Sequence, residues 1–173
     1  MRLRHLRRGG PYFRVADPSW QRPLEGRHAA DHGGRWNSPG SFPIVYLCAT
    51  REVARANILR RFAGQPYSDL DIDPSRRPVL VETDVPEHRA VDITSGAGFR
   101  AAGLPSTYPL AEDGTEVPWS MCQVVGSAAW EQDERSIACI SATRAGEELA
   151  WFARGRALKV RRSRDFADWF PAP

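Results

Sequence analysis

The stretch GGRWNSPG at residues 33–40 precedes an apolar run, IVYL, at residues 44–47. Its two glycines leave the backbone free to adopt a positive φ or to let a ligand approach closely. Arg35 offers five donors suited to phosphate or carboxylate, Trp36 offers a stacking face, and Asn37 offers both a donor and an acceptor. Anchored by a buried strand, such a loop is able to hold a nucleotide. The spacing fits a structural turn equally well, with Trp36 plugging the core.

Composition favours a globular protein of one domain, residues 1–173. The chain is 42% apolar and 26% charged, both ordinary values. Its apolar runs fall well short of the roughly 20 residues that span a bilayer. The basic segment at 1–8 lacks the apolar stretch of a secretory signal, and the three cysteines form no CxxC pair. We therefore expect a cytoplasmic protein with reduced thiols and no membrane segment.

Positive charge is concentrated at the two ends of the chain. The formal net charge is +3, and basic residues crowd 2–8 and 154–164, where Lys159 is the only lysine. No helix-turn-helix, zinc-finger or aromatic-rich RNA-binding motif accompanies them. A solvated basic face is the favoured interpretation, and direct binding of nucleic acid is not expected. An anionic small substrate fits the arginine excess equally well.

The pattern of apolar residues and caps predicts an α+β fold around a split β-sheet with short flanking helices. Thr50 is expected to cap a helix that Gly64 ends, and Ser163 to cap a terminal turn through Trp169. The core spans about 11–153, with a C-terminal strand and closing helix within 154–173. The predicted strands are 12–15, 44–47, 78–85, 137–141, 149–152 and 158–162, and the predicted helices are 51–63, 95–102 and 119–130.

Histidines provide a weaker signal. His28 and His32 are four residues apart, which suits a metal only if the segment is helical. The glycines that follow and the polar surroundings argue against a helix there, so we expect no metal site. His88 lies beside Pro86 and is predicted to be in a turn.

Several blocks in a fixed order resemble the RES-domain family. They are YFRV at 12–15, HGGRWN at 32–37, VY at 45–46, the helix after Thr50, and IACIS at 137–141. The resemblance implies a fold similar to ADP-ribosyltransferases. It also implies a toxin-like enzyme that degrades NAD⁺ by hydrolysis or phosphorolysis and is inhibited by a helix-turn-helix antitoxin. NAD⁺ is then a substrate, and no prosthetic group is expected.

The resemblance also assigns roles to individual residues. The family's arginines match Arg14 and Arg35, which would hold the pyrophosphate or the nicotinamide ribose; surface salt bridges to Asp17 or Asp31 are the alternative. Tyr46 matches a tyrosine near the nicotinamide. Ser141 matches the family serine, a donor to phosphate or ribose. The expected catalytic set is Arg14, Arg35, Tyr46, Asn57 and Ser141, and the expected NAD⁺-binding set is Arg14, Arg35, Trp36, Asn37, Tyr46 and Ser141.

The family glutamate falls on Asn57, which has a similar shape but no negative charge. Another carboxylate could replace it, and the candidates are Glu52, Glu147 and Glu148. Glu52 lies about 140° around the helix from Asn57. The two adjacent glutamates could reach the cleft or form an exposed pair in a turn. The alternatives are slow transfer of ADP-ribose to a protein, or a nucleotide-binding module without turnover; the NAD⁺-degrading enzyme is favoured.

Overall fold

The computed structural model describes residues 1–66, 71–155 and 157–170, and in them six strands and five short α-helices form a mixed fold. The predicted α+β class is confirmed. The strands are β1 (His5–Ala16), β2 (Ile44–Cys48), β3 (Val79–Ile93), β4 (Ser136–Ile140), β5 (Glu147–Phe152) and β6 (Val160–Arg164). The helices are α1 (Arg27–His32), α2 (Arg51–Phe62), α3 (Gly96–Ala102), α4 (Trp119–Glu131) and α5 (Phe166–Trp169).

The strands form one sheet in the order β1-β2-β5-β4-β3-β6. Because β1 also pairs with β3, the first five of these strands form a closed ring with β6 on its outside. All pairings are antiparallel except that between β3 and β4. Apolar side chains from all five ring strands meet in one cluster, whereas the opposite side chains of β2 and β5 pack towards α3 and α4. A strand sends successive side chains to opposite faces, so both faces of the ring carry a core. A third apolar cluster packs α2 and α5 against Cys48 and Leu80.

Each of the six predicted strands is present, but two are much longer than predicted. β1 begins at His5 rather than at residue 12, and β3 continues to Ile93 rather than ending at 85. The two strands pair with each other over almost their whole length, across a bulge at Arg8/Gly10. The prediction of a turn at His88 is therefore wrong: His88 lies within β3, and its Nε2 is 2.6 Å from Ser136 Oγ.

The expectation that no helix forms at 28–32 is also wrong. α1 occupies this segment, and Gly33 ends it with φ 75°, where its N–H donates to the Ala29 carbonyl. The glycine terminates the helix from outside, a common role of glycine, rather than preventing it. The rings of His28 and His32 stack with their centroids 4.4 Å apart.

The predicted cap of α2 is confirmed, and α3 has a hydroxyl cap that the sequence analysis did not predict. Thr50 Oγ1 accepts from Val53 N–H at 3.3 Å, and Ser95 Oγ accepts from Gly98 N–H at 3.1 Å. The predicted cap at Ser163 is wrong because Ser163 lies in β6, and the last helix begins after Asp165. Among the described residues, no helix is both long enough and apolar enough to cross a membrane.

Candidate active site

A cleft of about 820 Å³ opens where β1, α1, β2 and α2 meet the start of β5. This volume is within the range of ~300–1,000 Å³ typical of small-molecule sites. Its described lining is strongly basic, with five arginines and two carboxylates. The arginines are Arg14, Arg35, Arg60, Arg61 and Arg76, and the carboxylates are Asp17 and Glu148. A cleft lined mainly by one sign of charge concentrates ligands of the opposite sign.

The glycine-rich loop forms one wall and is fixed by Tyr46. Gly34 packs so closely on this side chain that an added Cβ would lie 2.5 Å from the Tyr46 hydroxyl. That hydroxyl accepts from Trp36 N–H and donates to Asn37 Oδ1, both at 2.9 Å. Burial raises the pKa of Tyr46, so the phenol stays protonated and keeps donating. Tyr46 both lines the cleft and holds the loop.

Trp36 and Asn37 lie behind this wall rather than in the cleft. Both are completely buried. The Trp36 ring packs near Tyr108, with centroids 6.2 Å apart, and the Asn37 amide donates to the carbonyls of Ala29 and Phe42. Trp36 fills the core, as the alternative interpretation of the loop as a structural turn predicted. Neither side chain offers an open face to the cleft.

Arg14 projects from β1 into the cleft and is only 6% exposed. Its guanidinium lies over the Trp20 ring, 5.2 Å from the centroid. Within the described part of the chain, its Nη1 has no hydrogen-bond partner. Burial lowers the pKa of Arg14 to about 10, so the side chain is still charged at neutral pH. Buried polar groups are normally satisfied, so this nitrogen is a candidate contact for a ligand in the cleft.

The alternative role for Arg14, a surface salt bridge, does not occur here. The Asp17 carboxylate instead accepts from the Ser19 backbone N–H and hydroxyl, at 2.9 and 2.6 Å. Asp31 pairs with Arg27 along α1, 4.0 Å apart. Both acids are therefore engaged with their own local segments.

Arg35 enters the cleft from the opposite wall. Its Nη1 makes two long hydrogen bonds, to the Tyr108 hydroxyl at 3.4 Å and to the Ile140 carbonyl at 3.5 Å. These contacts use one terminal nitrogen of the guanidinium. In the described part of the chain, Nε and Nη2 make no hydrogen bond and can donate to a ligand in the cleft.

Asn57 lies on α2 in the middle of a short chain of hydrogen bonds. Its Nδ2 donates to Glu148 Oε1 at 2.5 Å, and its Oδ1 accepts from the Ser141 hydroxyl at 3.3 Å. Ser141 is completely buried and shares a second contact of 2.8 Å with the Thr143 hydroxyl. The structure thus brings Asn57 and Ser141 together, with the serine behind the amide and away from the cleft.

The two adjacent glutamates face opposite sides of β5. Glu147 binds Arg8 through two hydrogen bonds of 2.7 and 2.6 Å, on the face towards Tyr12. Glu148 faces the cleft. The prediction of an exposed pair in a turn is wrong, since β5 begins at Glu147 and both side chains are partly buried. Glu52, the third candidate, is exposed at the start of α2.

The lining includes side chains that the sequence analysis did not assign to the site. Arg60 and Arg61 follow Asn57 by three and four residues on α2, the spacing that places side chains on one face of a helix. This spacing from Asn57 is the feature of the sequence that could have assigned both arginines to the site. Trp20 and Trp119 also line the cleft, and the sequence carries no local signal that would have placed them there.

Fold and cleft together define a mixed α+β protein with a basic cleft whose volume suits a small molecule. The RES domain family model matches residues 11–169, and the chain belongs to this family.

Relatives of known function share this family relationship at modest identity. The chain is 32% identical over 108 residues to "NAD(+) phosphorylase MbcT" of Mycobacterium tuberculosis and of Mycobacterium bovis. The match includes 62% of this chain and 54% of each relative, so the chain spans about half the length of the curated relatives it matches. The fold is also similar to the crystal structure of the M. tuberculosis MbcT–MbcA toxin–antitoxin complex, with a TM-score of 0.75 and 25% identity. That likeness covers 93% of this chain and 86% of the other.

Proposed function

We propose that this protein cleaves NAD⁺ between nicotinamide and ribose and transfers the ADP-ribosyl group to phosphate. The observation that carries the proposal is Arg14, a buried guanidinium with an unpartnered nitrogen in the described part of an arginine-rich cleft. Such a group suits the pyrophosphate of a dinucleotide, because guanidinium donors match phosphate oxygens in pairs. The activity named for the similar mycobacterial MbcT proteins supports the same reaction.

The reaction breaks one bond and forms one. The bond between ribose C1 and the ring nitrogen breaks, and its electron pair neutralises the pyridinium, so nicotinamide leaves without needing a proton. An oxygen of HPO₄²⁻ then bonds to C1, and its proton stays on the phosphate ester. If water attacks instead, one proton is released. Either path passes through an oxocarbenium-like ribose, as in glycoside cleavage.

Some residues of the cleft bind the substrate, and others lie at the bond that breaks. Arg14 and Arg35 hold the pyrophosphate or the attacking phosphate from opposite walls. Tyr46 borders the nicotinamide end and keeps the loop in place. Asn57 lies at the ribose, supported from behind by Ser141. NAD⁺ is the substrate here, and the scheme uses no prosthetic group.

A nucleotide-binding module without turnover is a second candidate, and the observation that favours it is the missing charge at Asn57. An oxocarbenium-like state gains from a nearby negative charge, which an amide does not provide. Transfer of ADP-ribose to a protein acceptor is the third candidate. The three differ in products: phosphorolysis releases nicotinamide and ADP-ribose 1-phosphate, transfer labels a protein, and a binding module does neither.

We further propose that an antitoxin protein covers the cleft. The toxin–antitoxin complex of the similar MbcT structure supports a partner of this kind. On α4, Trp119, Met121 and Val124 are large apolar side chains that are 52%, 39% and 61% exposed, and Trp119 also lines the cleft. A helix-turn-helix antitoxin is the type that the family resemblance implies. The proposed cytoplasmic location is consistent with three buried cysteines, none of them in a disulfide.

The decisive experiment measures nicotinamide release from NAD⁺ by purified protein, with and without phosphate. Arg35→Ala tests the cleft, and Arg89→Ala, an exposed arginine on β3, is the matched control. We expect phosphate-dependent release that Arg35→Ala abolishes and Arg89→Ala retains. Release without phosphate would indicate hydrolysis. Calorimetric binding of NAD⁺ without any release would refute the enzyme and favour the binding module.

A further inference from the structure

We propose that Glu148 is the catalytic carboxylate of this site and that Asn57 positions it. The inference rests on the proposed cleavage of NAD⁺ and names the group that supplies the negative charge at the ribose. Two neighbouring side chains carry it. Glu148 on β5 lines the cleft, and Asn57 on α2, which the family resemblance matches to a glutamate, is within hydrogen-bond distance of it.

The strand register brings Glu148 to this point. β5 lies between β2 and β4, and Glu148 is opposite Cys48 on one side and Cys139 on the other. Alternation along β5 directs Glu148 to the cleft and Glu147 to the opposite face. Its neighbours on the cleft side are α2 and the loop that carries Arg35. The carboxylate is thus on a rigid, central strand, which suits a group that must be held accurately.

The hydrogen bonds allow one orientation of the Asn57 amide. An ionised carboxylate only accepts hydrogen bonds, so the Asn57 NH₂ must face Glu148. The amide oxygen then accepts from the Ser141 hydroxyl, which Thr143 contacts from the other side. The chain from Ser141 through Asn57 to Glu148 fixes one carboxylate oxygen. Among the residues that the structure describes, the other oxygen accepts no hydrogen bond, and it can face the ribose.

The charge of Glu148 is not neutralised by an ion pair. Among the described residues, no arginine, lysine or histidine nitrogen lies within 4.0 Å of its carboxylate, whereas Glu147 pairs with Arg8 at 2.6 Å. On the strand side the adjacent Cys48 is buried, which raises its thiol pKa, and the Glu148 charge raises that pKa further. On the cleft side burial opposes the charge of Arg35, but neighbouring groups that include Glu148 raise its pKa overall. An unpaired charge acts strongly in such an environment.

Glu148 therefore provides what the reaction requires without entering it covalently. As the bond to nicotinamide breaks, ribose C1 and its ring oxygen gain positive charge, and the carboxylate stabilises that charge. Phosphate supplies the new C–O bond and keeps its proton, so Glu148 neither gains nor loses one. The strand thus supplies, beside Asn57, the negative charge that the family resemblance assigns to the helix.

The experiment compares Glu148→Gln with the wild type in nicotinamide release, with NAD⁺ binding measured by calorimetry and folding by thermal melts. The introduced amide keeps a carbonyl oxygen that accepts from Asn57, so the variant removes charge with little change of shape. We expect kcat to fall by roughly 10²–10³-fold, the usual effect of removing one transition-state electrostatic contact, while NAD⁺ still binds. Glu148→Asp should retain part of the activity. Glu52→Gln, which changes an exposed carboxylate on α2, is the matched control and should behave as the wild type.

A double variant tests the inference by recovery of activity rather than by its loss alone. In Asn57→Glu with Glu148→Gln, the charge returns to the helix and the amide moves to the strand, and we expect partial recovery of kcat over Glu148→Gln alone. Wild-type kcat in folded Glu148→Gln would overturn the inference and leave the proposed function standing. A variant that loses affinity for NAD⁺ with unchanged kcat would also overturn it. Absence of nicotinamide release by the wild type would refute the proposed function, and this inference with it.

Discussion

Replacing Arg14 by Met should stabilise the free protein and abolish its response to the ligand. Arg14 is a cation held in a site that is 6% exposed, with one nitrogen unpartnered in the described structure. A group of this kind lowers the stability of the fold unless a ligand satisfies it. Met has a similar length and fills irregular apolar space without a charge. Arg14→Met therefore separates the requirement for binding from the requirement for folding.

The size of the effect follows from the Arg14 pKa. Burial lowers it from the ordinary arginine value to about 10, and at ~1.4 kcal/mol per unit this disfavours the charged folded state by roughly 3 kcal/mol. Because the pKa is lower in the folded protein, the penalty is fully present below pH 10 and fades as pH rises towards the unfolded value. The lost contact over Trp20 offsets about 1–2 kcal/mol. The remaining gain, about 1–2 kcal/mol at neutral pH, corresponds to a rise in Tm of roughly 2–8 °C.

Thermal melts with and without NAD⁺ provide the assay. A ligand at 100 times its Kd stabilises a protein by about 2.7 kcal/mol, so the wild type should gain several degrees with NAD⁺. Arg14→Met should gain nothing. Arg14→Lys keeps the charge but loses the planar fork of donors, and should show neither the full stabilisation nor the full response.

Two results would refute this reasoning. A lower Tm for Arg14→Met without ligand would mean that the guanidinium stabilises the fold, and that its unpartnered nitrogen is not a cost. An unchanged NAD⁺-induced rise in Tm in the variant would mean that the nucleotide does not use Arg14. Either result can be read from the same pair of melts.

Three further substitutions test the packing and the hydrogen bonds that support the fold around the cleft. Gly126→Ala should destabilise the protein by at least about 3 kcal/mol in denaturant titrations, because the new Cβ would lie 1.7 Å from the Trp36 carbonyl oxygen; a smaller loss would show that α4 can move. Tyr46→Phe should cost about 1–3 kcal/mol by leaving the Trp36 N–H and Asn37 Oδ1 without their partner, and equal stability to the wild type would contradict the loop-bracing role. For Asp92, burial opposes the charge but hydrogen bonds from the following turn lower its pKa overall, so its contribution is present above the usual Asp pKa and lost as pH falls through the lower folded value. Melts of Asp92→Asn and the wild type should therefore differ at about pH 6 and converge towards about pH 2.

Local signals were sufficient to predict most elements of the fold. Thr50 marked the start of α2, because a capping hydroxyl acts within three residues of itself, and the predicted helix at 95–102 matches α3. The long strands were not predictable in the same way. β1 and β3 extend each other through pairing between residues far apart in the chain, and nothing near residues 5–11 or 86–93 signals that pairing.

The candidate site illustrates the same difference between local and long-range information. Arg14 and Arg35 were identified from motifs, and both line the cleft. Trp36 belongs to the same motif, yet its burial depends on α4, which packs on its backbone at Gly126 and lies far along the chain. A motif identifies residues that occur together, and it does not say which of them face a ligand.

Glu148 marks the limit of what the sequence could decide. Starting β5 at Glu147 directs Glu148 to the cleft, whereas a shift of one residue would exchange the faces of the two glutamates. The sequence suggested a carboxylate to replace the charge missing at Asn57, but only the register of β5 against β2 and β4 chooses between them. Transition-state stabilisation depends on where a charge lies in space and not on which element carries it. For this reason the loss of a glutamate from a motif does not by itself argue for loss of activity, provided that a strand beside the helix brings a carboxylate to the same place.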